Sequence, residues 1–151
     1  MSQSSFEIKT GKDLFLKLGR EHKRLLEDLW SSDHAINFSI TAHHLFKDWL
    51  KRELPSEEYI TLEDELKAKL GVEIEIIRDV CDGSKHLQLD RPPHKQVQRS
   101  DVQQGAFPKG FDRSFDIGGL QLTLHDGSKV YFDNVADKVL EFWRSYFNDR
   151  P

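Results

Sequence analysis

Between residues 35 and 49 the apolar positions Ala35, Phe38, Ala42, Leu45 and Trp49 step by 3, 4, 3 and 4. That is the seam of a helix packed inside a bundle. Ile36, Ile40, Phe46 and Leu50 carry apolar surface further round the cylinder, so this helix is expected to be central and touched on several sides. Pro55 ends it, because the residue before a proline is biased away from helix.

A central helix needs neighbours, and the chain supplies three. Residues 12–30 carry Leu14, Leu18, Leu25 and Leu29 at helical spacing, with His22 filling the gap and Phe15, Leu26 and Trp30 widening the face. Ser31, Ser32 and Asp33 then make a polar break with good N-cap residues. Over 61–82, Leu62, Leu66, Leu70, Ile74, Ile77 and Cys81 keep helical spacing across Gly71. Residues 72–76 also alternate like a strand; helix is the expectation, with Gly71 marking a kink or a break and Gly83 placed as a C-terminal cap. The last helix shows Ala136, Val139, Leu140, Trp143 and Phe147 on one face, with Asp133 or Asn134 as its cap.

Between these helices, residues 86–90 read as a short strand and 91–116 as a long irregular loop. Leu120, Leu122 and Leu124 alternate with polar residues, Asp126-Gly127 is a hairpin turn signal, and residues 129–132 return. The expected fold is therefore α+β, mainly α: a bundle of about four helices with a small antiparallel hairpin or sheet near the C-terminus. One domain covers 1–151, with the helical part at about 12–86, the loop at about 91–116, and the hairpin plus final helix at about 117–148. Strands and helices do not alternate, which excludes a doubly wound sheet.

At 151 residues the chain is long enough for one self-sufficient core. A single cysteine, Cys81, excludes a disulfide scaffold, and it sits on the apolar stripe as a core residue. No apolar run is long enough to span a membrane and the first ten residues have no signal-peptide core, so a cytoplasmic location without membrane contact is expected. The net charge of −4 argues against a general nucleic-acid coat. The charge is uneven: ten acids face three bases over 53–82, and five bases face three acids over 90–113. The basic stretch reads either as a polar loop or as a contact for phosphate or an acidic partner.

Two constellations can carry chemistry. Asn37, Thr41, His44 and Asp48 lie on one line of the second helix, and Asp48 is placed to orient the His44 imidazole. The pair reads as a binding site between helices or as the polar edge of an amphipathic helix. Arg78, Asp79, Ser84, Lys85 and His86 crowd the end of the third helix. Arg holds phosphate bidentately and His moves protons near neutral pH; the same residues also suit an ordinary helix end, with Arg78 paired to Asp82 and Lys85 and His86 complementing the dipole. No zinc-ligand spacing, phosphate loop or dinucleotide turn is present, and neither a metal nor another cofactor is expected.

Residues 37–49 (NFSITAHHLFKDW) and 78–86 (RDVCDGSKH) together resemble a group of short bacterial proteins and, more distantly, HEPN domains. HEPN domains are helical bundles, often dimeric, and many are metal-independent ribonucleases of toxin–antitoxin and defence systems. Their motif is an Arg, a polar residue and a His with four to six residues between Arg and His; here seven intervene. The resemblance implies that Arg78 binds phosphate, Asp79 orients it and His86 is the general acid–base, with His44, Asp48, Lys85 and Ser84 supporting binding.

The residues themselves are read first as a noncatalytic interaction or accessory module, with a HEPN-like ribonuclease or nucleotide-binding protein as the alternative and a small-molecule enzyme third. The corresponding partners are a second copy of the chain, RNA or a nucleotide, or another protein.

Overall fold

The computed structural model describes residues 6–85, 97–109, 113 and 116–149. Four helical rods and a three-stranded antiparallel sheet form the α+β fold. The first rod, α1 (Gly11–Glu27), opens on a capping box: Thr10 accepts the Asp13 amide, and the Asp13 side chain accepts the Thr10 amide in return. It ends before Leu29, whose carbonyl accepts the Leu120 amide at 2.9 Å and so ties the turn to the sheet.

The second rod is the expected central helix with one change of winding. Its first part, α2 (Ser32–His44), runs into a π-helical segment (Leu45–Leu50) and a last turn, α3 (Lys51–Glu53). A π turn holds one more residue than an α turn. The seam therefore proceeds through Ala35, Phe38, Ala42 and Leu45, then reaches Leu50 instead of Trp49, which is only partly buried. An ideal helix predicts Trp49 there; the extra residue rephases the face by one position.

The third rod, α4 (Ser56–Lys85), starts five residues earlier than the spacing predicts, directly behind Pro55. Leu70 leaves helical geometry (φ −134°, ψ 35°), which places the kink beside Gly71. Before the kink Tyr59, Leu62, Leu66 and Leu70 face the core; after it Ile76, Ile77 and Cys81 do. Residues 72–76 are helical, and the strand-like alternation there loses to continuity with both flanks. Gly83 is not a cap: the helix runs through it to Lys85.

The stretch 91–116, expected as an irregular loop, contains a strand, β1 (Val97–Gln104), paired antiparallel with β2 (Gly118–Leu124). Its two valines are five residues apart among polar side chains, so it has none of the alternation that marks a half-buried strand. Gly118 admits this pairing: its φ is +75°, and a side chain there would run into the Gln103 carbonyl. The short strand expected at 86–90 lies outside the described residues.

The hairpin follows its turn signal. β2 pairs with β3 (Lys129–Tyr131), Gly127 takes a φ of +87°, and Asp126 accepts both the amide and the hydroxyl of Ser128. The final helix, α5 (Phe132–Asn148), begins directly after β3. Tyr131 occupies its cap position without a side-chain bond, so neither Asp133 nor Asn134 is the cap; both lie inside the first turn.

The interior is aromatic. Trp143 is fully buried among Phe46, Phe142, Tyr146 and Phe147, with ring centroids 5.0–6.3 Å away. Phe38 meets Phe132 edge-on at 6.0 Å, and Phe15 stacks on Phe147 at 4.8 Å. Among the described residues, no helix is long and apolar enough to cross a membrane.

Candidate functional site

The kink in α4 opens a cleft against α2 and the π segment. It has a volume of about 490 Å³. Ala42, Phe46, Ile74 and Ile77 give it apolar walls, and Lys47, Lys67 and Arg78 bring cationic side chains to it. Each helix contributes by its own periodicity. Ala42, His43, Phe46 and Lys47 are one-turn neighbours on one face, while Gly71, Ile74, Glu75 and Arg78 repeat the pattern on the other side.

The cationic character is only partly neutralised inside the fold. Glu63 lies 3.8 Å from Lys47 Nζ and 3.7 Å from Lys67 Nζ, so one carboxylate serves two ammonium groups. Lys47 also stands over the Phe46 ring at 5.2 Å from its centroid. Arg78 Nε is buried and meets no hydrogen-bond acceptor. A buried, unmet donor on a charged group is unfavourable and calls for an acceptor to be supplied. The pairing expected with Asp82 does not reach Arg78 Nε.

Asp79, next in the chain, points to a different task. It is 3% exposed, and its carboxylate accepts the Val97 amide at 3.0 Å. The bond fastens the start of β1 to the end of α4. Successive helical positions face different directions, which is why one neighbour lines the cleft and the other holds the sheet.

His44 and Asp48 do hydrogen-bond through His44 Nδ1, as an i, i+4 pair should. The imidazole bond holds the Asp48 carboxyl below its ordinary value of 3.8, against a smaller opposing effect of burial. The pair is 35% and 47% exposed and does not line the cleft; the histidine that does is His43. The signal for His43 was its i, i+4 relation to Lys47, flanked by Ala42 and Phe46. Lys67 stands one turn before Gly71 and three turns before Arg78, so helical spacing links it to the same face.

His86 lies outside the described residues. Ser84 and Lys85 are the last residues of α4, and their side chains lie outside the description as well. Arg78 lines the cleft and His44 does not; the expected approach of Arg78 to His86 lies outside the described residues. Among the described residues no group of three or more His, Cys, Asp and Glu is placed to hold a metal ion.

The basic stretch after residue 90 is largely tied down where it is described. Arg113 bonds Asp137 at 2.6 Å and Asp133 at 3.0 Å; burial works against its charge, but these bonds outweigh it and raise its pKa. Asp137 also holds His22 at 2.8 Å, joining α1 to α5. Lys109 pairs with Asp28 at 3.0 Å, and Arg99 with Asp101 at 3.5 Å. These bases face carboxylates of the same chain. The acids of the first arm of α4 lie elsewhere: Glu57, Glu58 and Glu65 line a separate hollow beside Tyr146.

No family model matches the chain, and neither a curated protein nor a solved structure is significantly similar to it.

Proposed function

We propose that the protein is a noncatalytic interaction module whose α2–α4 cleft receives an acidic, partly apolar segment of a protein partner. The observation that carries this reading is Arg78: its buried Nε lacks an acceptor in a cleft with apolar walls and two further cations. A carboxylate of the partner would supply that acceptor while its apolar side chains cover Phe46, Ile74 and Ile77. The alternative use of the same arginine is a HEPN-like, metal-independent ribonuclease with His86 as proton carrier. His44 and Asp48 are surface groups beside the site in either case.

A labelled short peptide rich in Glu and Leu, titrated into the whole protein, tests the module. Arg78→Ala should weaken it by about tenfold or more, as loss of a charged hydrogen bond does. Its effect on thermal stability should be slight, because the fold makes no hydrogen bond to Arg78 Nε. Equal binding by wild type and variant overturns the reading. Metal-independent cleavage of single-stranded RNA that is lost in both Arg78→Ala and His86→Ala replaces it with the ribonuclease.

A further inference from the structure

We propose that β1 is a self-recognition edge, and that two copies of the chain join through it, antiparallel about Ser100, into one six-stranded sheet. In the order β1-β2-β3, β1 has β2 on one side and no described strand on the other. It is eight residues long, contains no proline, and is exposed from Gln98 to Val102, with Val102 at 47%. Such an edge is a template for another strand unless it is blocked.

The hydrogen-bond phase of the sheet decides which groups face out. Leu120 N–H donates to Leu29 and Leu124 N–H to Ser128, both away from β1. Leu122, between them, pairs with Val130 of β3. The β1 partners of Leu120 and Leu122 are Val102 and Ser100. These two residues therefore sit in the non-hydrogen-bonded positions of the β1–β2 ladder and turn their own N–H and C=O groups to the open edge.

An antiparallel pair of identical strands must match outward positions with outward positions. That leaves registers centred on Arg99, Ser100, Asp101 or Val102, and only the one centred on Ser100 sets opposite charges against each other. Centring on Ser100 sets Arg99 opposite Asp101 of the other copy, twice, in the closely spaced non-hydrogen-bonded pairs. Shifting one way brings Arg99 against Arg99, and shifting the other way brings Asp101 against Asp101. Like charges directly opposite are unfavourable. Within one copy Arg99 and Asp101 already share a face at 3.5 Å, so the joined strands carry a closed square of alternating charge. The bulge between Val97 and Arg99 twists the strand and confines regular pairing to Arg99–Asp101 of each copy.

Sedimentation of the full chain over a wide concentration range tests the inference. The expected result is a reversible monomer–dimer equilibrium. Arg99→Asp and Asp101→Arg should each weaken it by about tenfold. The double variant R99D/D101R restores the opposite-sign register and should return to the wild-type dimer. Ser100→Pro removes an outward N–H that β2 does not use, and should leave a folded monomer. A chain that stays monomeric at millimolar concentration overturns the proposal. So do single variants that associate like wild type, or a double variant no better than the singles.

Discussion

α5 and the second arm of α4 are helices of similar length with opposite interior faces. α5 turns Phe132, Val135, Ala136, Val139, Leu140, Trp143, Tyr146 and Phe147 inward, and its single fully buried polar side-chain atom without a partner is Trp143 Nε1. The arm after Gly71 buries Ile76, Ile77 and Cys81, but it also buries the Asp79 carboxylate and the Arg78 Nε. An apolar face contributes stability in proportion to its area and asks nothing of geometry beyond packing. A mixed face needs each polar group to find a specific partner. Asp79 finds one in Val97; Arg78 Nε does not. The first helix packs the core, and the second attaches the sheet and leaves Arg78 Nε without a partner at the cleft.

The contrast breaks most visibly at Trp143. Trp143→Ala removes the largest fully buried side chain, and a loss of about 3–5 kcal/mol in urea unfolding is expected. If that loss were smaller than the one at Asp79, the division of labour would be wrong. Asp79→Ala leaves the Val97 amide without its acceptor and should remove about 1–3 kcal/mol. Asp79→Asn keeps an oxygen there and should lose less. Hydrogen exchange at the Val97 amide sharpens the point: Asp79→Ala should speed it, whereas Trp143→Ala should act mainly through global unfolding.

The smallest effect belongs to the surface pair. Asp48→Asn should destabilise by under about 1 kcal/mol, since both partners are well exposed to solvent. The sign with pH follows from the lowered carboxyl pKa. The contribution is present above the unfolded value, near 3.8, and is lost as pH falls through the still lower folded value. The gap between wild type and Asp48→Asn should therefore shrink in unfolding curves taken progressively below about pH 4. A gap that widens on acidification would remove His44 as the cause.

Much of this was legible in the residue order where one period ran uninterrupted. The inward face of α5, the seam from Ala35 to Leu45 and the Asp126-Gly127 turn need only local spacing. Three features did not, for three reasons. β1 is a strand because β2 supplies its ladder, not because Val97 and Val102 pattern it. The change of phase after Leu45 depends on how many residues a turn holds, and side-chain type does not encode that number. The cleft joins Lys47 to Arg78 across the bend at Leu70, a relation between distant positions. His44 was visible as half of a pair with Asp48, while His43 gains its place only once α4 lies beside it.

The π segment has a consequence for how this chain can vary. From Leu45 to Leu50 it is the count of residues, more than their identity, that sets where everything downstream points. Deleting one position there would let the rod rewind as ordinary helix, with Trp49 swinging toward the interior in place of Leu50. Phe46 and Lys47 sit inside this same stretch and line the cleft. A change in length that repaired the winding would therefore also shift Phe46 and Lys47 relative to the cleft.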